Sequence, residues 1–497
     1  MSALPLLWTL VLTPTLSALL ASRAQSDQRA RGVAIAGAAL TLALALAALL
    51  AGASGVAFGE ASPALPRLGV SLRLGLDGYS LVLPALTASL LLAMLIAGPR
   101  TALDRRTVTA MLFSASAILG VLCTEDLAVL TVAWVVALLP GDRLLARSDA
   151  APLLRRTYRI FLFGGAAPLV AAVGILAALS AGRGAALPFD LRDIARVGVP
   201  EAWQPPLFAL LGLAVLMRMA AVPFHSWLPA LFERGSLGVT LLHAEMQVGL
   251  YVLLRVAIPL LPAASVDAMP ILAAVGLLSI VYGAVLALVQ TNLRRMIGYI
   301  ASSQKGVVLL GVASASAHSL SGALLQAFAS ALAITGLTMV VWALEARTGT
   351  ADTRALGGLV ARMPRMTAFF FLLGCATIGF PGALTFISED LLLHGVLHVH
   401  PVLAFFMLIG TAINGITLFR AFKRTFLGPL APDRRFATAT ALLLRERAVL
   451  LALVALTVIL GVAPTRLIAL REPAVELLLQ QIYHGASAPP HEAESRR

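Results

Sequence analysis

Arg218, His243, Glu245, Gln247 and Glu389 stand in stretches of this sequence that are otherwise almost wholly apolar. Arg218 lies in Leu216-Met217-Arg218-Met219-Ala220-Ala221-Val222-Pro223, and the next three share Leu241-Leu242-His243-Ala244-Glu245-Met246-Gln247. Glu389 follows in Phe386-Ile387-Ser388-Glu389-Asp390. An ionisable group inside an apolar span is costly, so its presence is by default a functional expectation. Carboxylates and imidazoles accept and release protons, whereas a guanidinium, with a pKa above about 12, holds a fixed charge. As a set these residues suit a hydrated proton relay. Plainer readings stand beside that one: Arg218 snorkelling or statically paired with Glu245, Glu389 capping a half-helix, His225 filling a backbone site. No phosphate-cradling glycine loop, nucleophile elbow or metal-ligand spacing competes, so no catalytic residue, metal or cofactor is expected.

The elements that must hold these residues are membrane helices. Of 497 residues, 59% are apolar and only 12% charged, and the mean hydropathy is +0.92. Such a chain cannot solvate its own surface, which excludes soluble enzymes and secreted disulfide scaffolds. The net charge of +13 resides in short segments between apolar runs, not on one polar domain, so nucleic acid is excluded as a partner. Cys123 and Cys375 are far apart and read as buried thiols. About fourteen apolar runs of roughly 20 residues are each long enough to cross the bilayer. The expected fold is thus an all-α polytopic membrane protein.

Two of the runs are interrupted. One holds Pro223, His225 and Pro229 in Val222-Pro223-Phe224-His225-Ser226-Trp227-Leu228-Pro229, and the other holds Pro381 in Gly379-Phe380-Pro381-Gly382. Proline removes a backbone donor, and a break survives in lipid only where protein or water satisfies the freed groups. The breaks fall five spans apart, and a repeat of five crossings must be inverted in its second copy. Spans four to eight and nine to thirteen are therefore read as two inverted five-helix repeats, each with a broken helix, a pattern that points to an ion path near the midplane. The implied segments are 1–100, with three helices; 101–265 and 266–430, the repeats; and 431–497, a last helix and tail.

Arginines set the orientation. Arg23, Arg105, Arg143, Arg294, Arg362 and Arg424, with their basic neighbours including Arg434 and Arg435, all occupy odd-to-even connections. The positive-inside rule makes these cytoplasmic and places both termini outside, in a bacterial inner (plasma) membrane. Met1-Ser2-Ala3-Leu4-Pro5 lacks a basic leader, so the first helix is expected to be retained.

Pro223-Phe224-His225-Ser226-Trp227-Leu228-Pro229 resembles the broken-helix signature of the antiporter-like membrane subunits of complex I, Mrp-type antiporters and group 4 hydrogenases. Asp77-Gly78-Tyr79-Ser80, Asn292-Leu293-Arg294-Arg295, Ser302-Ser303-Gln304-Lys305-Gly306 and Arg420-Ala421-Phe422-Lys423-Arg424 match further landmarks in order. The resemblance spans about residues 70 to 430 and implies fourteen helices. It also implies a span-seven lysine at Arg218, a span-five glutamate at Val135, a histidine and lysine at Gln326 and Ser330, and a span-twelve lysine or glutamate at Glu389. Only the last is kept, so the first repeat departs from the family's Lys–Glu relay. Trp134-Val135 and Leu241-Leu242-His243-Ala244 are similar to the DabB-type membrane subunit of inorganic-carbon pumps. That branch implies proton or sodium translocation powering carbon uptake with a peripheral, zinc-containing DabA-like partner. The alternatives are a divergent subunit of NADH-quinone oxidoreductase, membrane hydrogenase or Mrp-type antiporter, and a structural membrane subunit with decayed conduction.

Overall fold

The computed structural model describes residues 5–52, 58–60, 65–147, 152–429 and 441–485; Arg434 and Arg435 lie outside them. The chain enters as α1 (Leu6–Ser22), α2 (Asp27–Gly52) and α3 (Leu83–Ala97). A first group follows: α4 (Arg105–Cys123), α5 (Leu127–Leu145), α6 (Pro152–Gly182), the half-helices α7 (Gln204–Arg218) and α8 (Trp227–Arg234), and α9 (Leu237–Leu260). A second group has the same form: α10 (Pro262–Val289), α11 (Leu293–Ala313), α12 (Ala317–Thr348), the half-helices α13 (Pro364–Thr377) and α14 (Leu384–Val399), and α15 (Pro401–Phe426). Two more helices, α16 (Leu444–Val462) and α17 (Glu472–Gly485), complete the described chain. Among the described residues, nine helices are long and apolar enough to cross a membrane. With the shorter apolar α1 and α3, the two broken helices and α16, they give the bundle of about fourteen crossings that the apolar runs imply. The one sheet among the described residues is a two-stranded antiparallel pair, Phe58–Glu60 against Leu74–Leu76.

Local chemistry explains where helices begin and how closely they pack. The Asp104 carboxylate accepts from Thr107 N–H at 2.9 Å at the head of α4, and Ser316 and Ser319 close a capping box on α12. Where α10 crosses α11, a Cβ on Gly276 or Gly306 would come within 3 Å of the facing backbone, so only glycine permits that approach. Burial ranks the helices. In α9, α11 and α12 the whole of the most apolar stretch is buried, whereas in α2 and α15 only a third is. The first three form the interior, and any polar group on them faces protein rather than lipid.

A backbone device appears once in each group. Asp126, which caps α5, forms an antiparallel bridge with Asp190, through Leu127 N–H to Phe189 O at 2.8 Å and Leu191 N–H to Glu125 O at 3.0 Å. Asn292, which caps α11, forms the same bridge with Asp352, through Leu293 N–H to Ala351 O and Thr353 N–H to Thr291 O, both 2.9 Å. In both groups the start of the second helix is tied to the connection between the third helix and the broken one. An odd number of crossings separates the two bridges, so they lie at opposite ends of the bundle, as inverted copies require.

Candidate ion path through the broken helices

At the first break the chain leaves the helix after Arg218 and resumes it at Trp227. Neighbouring side chains service the freed backbone. Ser302 Oγ on α11 donates to Ala220 O at 2.8 Å, Ser279 Oγ on α10 accepts from Val222 N–H at 2.9 Å, and Trp227 Nε1 donates to Met217 O at 2.9 Å. At the second break Gln304 Nε2 on α11 donates to Thr377 O at 3.1 Å, and Thr385 Oγ1 donates to Ala376 O. Helix α11 therefore stands between the breaks and supports both. Pro223 and Pro381 lie exposed at the gaps, and Pro229 is buried in α8. His225 is half-buried, with its ring edge-on to Tyr282 at 5.2 Å between centroids.

Arg218 is buried and forms no ion pair with Glu245, which corrects the static pairing considered from the sequence. Its guanidinium lies over the Trp134 ring, 5.8 Å from the centroid, and Nη2 approaches His243 Nδ1 at 3.4 Å. His243 Nε2 meets Tyr158 Oη at 3.0 Å, and Tyr158 Oη donates to Leu138 O at 2.8 Å. A guanidinium only donates, so Nδ1 must accept; Tyr158 has spent its proton on Leu138, so Nε2 must donate. That sequence of donors assigns His243 as the neutral Nε2–H tautomer. With Val135 where the resemblance implies a glutamate, the Trp134 face and the His243 lone pair are what Arg218 has for its charge.

The partner of Glu245 is Lys305. Lys305 Nζ stands 3.2 Å from Glu245 Oε1, with the side chains 7% and 1% exposed, and Glu245 Oε2 has no partner among the described residues. A fully desolvated lysine and carboxylate persist only as a pair, and the free carboxylate oxygen leaves room for a second donor such as water. Two residues on, α9 is itself interrupted: Gln247 takes a left-handed φ of 54° between the helical turns ending at Glu245 and starting at Val248. Its Nε2 donates to Ala327 O on α12 at 2.8 Å. A left-handed glutamine is uncommon and marks a place held against local preference.

Glu389 closes the far end. Half-buried on α14, its Oε1 accepts from Gln326 Nε2 at 3.4 Å, and that nitrogen also reaches Gln304 Oε1 at 2.6 Å. Ser388 Oγ donates to Gln326 Oε1. Gly379 at the break is left-handed, with φ of 66°, a conformation that favours glycine, and a Cβ there would push the Glu389 carboxylate aside. Ser330, the other span-eleven position, bonds its own helix, to Ala327 O at 3.4 Å.

Three polar clusters thus follow one another through the bundle: Tyr158–His243–Arg218, then Glu245–Lys305, then Gln304–Gln326–Glu389. α9 carries both His243 and Glu245, and α11 both Lys305 and Gln304, so these two buried helices join the clusters. From the sequence, Lys305 and Gln304 stand only as landmarks of the resemblance, with no role in the path, and Tyr158 is not singled out. A signal existed for the first: Lys305 and Lys423 are the only lysines among 37 basic residues, and Lys305 sits inside an apolar run. Between breaks and clusters the arrangement can store a proton, move it along hydrogen bonds and hold a fixed positive charge nearby.

Comparison with known proteins places this architecture. NADH-quinone oxidoreductase subunit M of Pseudomonas aeruginosa is 30% identical over 413 residues, 80% of each chain. F(420)H(2) dehydrogenase subunit M of Methanosarcina mazei is 29% identical over 437 residues, 86% of this chain and 88% of that one. Respiratory complex I from Thermus thermophilus contains a chain of the same fold, with a TM-score of 0.88 at 25% identity over 96% of this chain and 99% of that one. A chain of the Mrp complex from Dietzia shares the fold, with a TM-score of 0.82 at 20% identity over 97% and 99%. The family described as NADH:quinone oxidoreductase/Mrp antiporter, transmembrane, matches residues 125–414. A match over more than half the chain, covering both breaks and all three clusters, decides membership: this protein belongs to that family of antiporter-like membrane subunits.

Proposed function

We propose that the chain is the proton-conducting, antiporter-like membrane subunit of a multi-subunit energy-coupling complex of the oxidoreductase or Mrp type, in a bacterial inner membrane with both termini outside. The observation that carries this is the buried Lys305–Glu245 pair, set between the Arg218 and Glu389 clusters. Lys305 hands its proton to Glu245 or takes it back as the hydration of the pair changes, and Arg218 acts as a fixed gate whose charge biases that exchange. Gln304 and Gln326 hold no titratable proton; they orient the hydrogen-bonded path between Lys305 and Glu389. The Lys305 ammonium already neutralises the Glu245 carboxylate that a metal cation would need, so this centre favours protons over sodium.

The inorganic-carbon reading, with a DabA-like zinc partner, rests on short motifs alone, while the relatives named above are oxidoreductase subunits. We therefore place the oxidoreductase or antiporter assembly ahead of it. Affinity purification of the full complex from native membranes tests this choice. Oxidoreductase or antiporter subunits should co-purify; a single large zinc protein in their place would reinstate carbon uptake.

A further inference from the structure

The geometry points to a binding site for one anionic phospholipid, its phosphate held by Arg105, Arg106, Arg143 and Arg147 and its acyl chains lying along Phe113 and Leu139. The site is a cavity of about 390 Å³ between the ends of α4 and α5, at the tip of α1. All four arginines are exposed and converge on it. Arg105 gives one donor to Ala24 O at 2.9 Å. Among the described residues Arg106, Arg143 and Arg147 have no carboxylate partner. The acid next to Arg143 is already taken, since Asp142 receives bidentate bonds from both Arg155 and Arg159 at 2.7–3.0 Å.

A neighbouring arginine cavity shows what a structurally employed cluster looks like. Arg31, Arg100 and Arg445 line about 490 Å³ beside it. There Arg31 donates to Leu95 O and Ile96 O at 2.9 and 2.8 Å, and Arg445 to Ile96 O at 3.0 Å, capping the carbonyls that end α3. Apart from the Arg105 bond to Ala24 O, the α4–α5 guanidiniums do no such work among the described residues, so their charge is left for a ligand. A free phosphate would use only the guanidiniums. The wall below them is apolar and continues toward the lipid-facing side of α5, where Val132, Val136 and Leu139 are exposed, which fits a headgroup with chains attached. Under the proposed orientation this end lies in the cytoplasmic leaflet, where anionic lipid is met by basic pockets between helices.

The test is native mass spectrometry of the full-length chain in neutral detergent, titrated with phosphatidylglycerol, phosphatidylcholine or inorganic phosphate. Each arginine near an anionic surface contributes about fivefold, so Arg143→Gln with Arg147→Gln should weaken phosphatidylglycerol binding roughly 25-fold. The charge-matched pair Arg362→Gln with Arg365→Gln should leave it unchanged, and phosphatidylcholine should bind far more weakly. Equal loss in both pairs, no loss in the first, or displacement of the lipid by millimolar phosphate would overturn the proposal. So would a crosslink, in the assembled complex, from Arg143→Cys to an acidic segment of a neighbouring subunit.

Discussion

Glu389, half-buried, and Arg218, buried, show how differently two charged residues are arranged. Glu389 accepts from a glutamine, and Glu389→Gln preserves both its size and that acceptor. Levels in the membrane should stay near those of the unaltered protein, while proton translocation by the assembled complex in inverted vesicles falls at least about tenfold. Loss of the protein itself would assign Glu389 a structural role. Among the described residues Arg218 has no carboxylate partner, only an aromatic face and an imidazole nitrogen. Arg218→Lys should therefore keep part of the translocation rate and Arg218→Ala lose it. In double-mutant cycles Arg218→Ala should couple more strongly to His243→Ala than to Glu245→Ala, because residues in contact are the ones that depart from additivity. A larger coupling to Glu245 would contradict the observed pairing. Sequence showed that these residues were out of place in apolar spans, but not their partners. Glu245 is only 27 positions from Arg218 and 60 from Lys305, yet pairs with the latter, because helix crossing, not chain distance, decides contact.

At the scale of elements, the breaks were legible because proline and glycine interrupt hydrophobic runs in ways helices do not tolerate. The interruption at Gln247 was not, since no proline stands there and Gly249 lies two residues on, inside the resumed helix; a tertiary bond from Gln247 to Ala327 overrides local preference. Nor could the sequence show that α11 services both gaps, for serines and glutamines on an apolar helix look alike whichever neighbour they meet. Ser302→Ala and Ser279→Ala each strand a backbone group of the first break away from water. Each should cost about 1–3 kcal/mol in the thermal stability of the purified protein. Ser314→Ala is the control: its hydroxyl bonds only Leu310 O of its own helix, so it should cost far less. Equal losses at all three would mean that the hydroxyls at the break carry no special burden.

Across the whole molecule, the paired bridges at Asp126–Asp190 and Asn292–Asp352 and the two gaps make one design used twice, and α9 and α11 bring its charges together at the centre. The central claim is that the Lys305–Glu245 pair works as a proton-transfer centre and is not merely a tie between those helices. Breaking one partner of a buried pair typically costs about 3–5 kcal/mol, whereas neutralising both removes the stranded charge. Lys305→Met alone should therefore reduce the amount of protein in the membrane, and Lys305→Met with Glu245→Gln should restore it. The decisive measurement is proton translocation by the assembled complex carrying that double substitution, normalised to its amount in the membrane. The account predicts that abundance returns while translocation stays at least about tenfold below that of the unaltered complex; recovery of both together would contradict it.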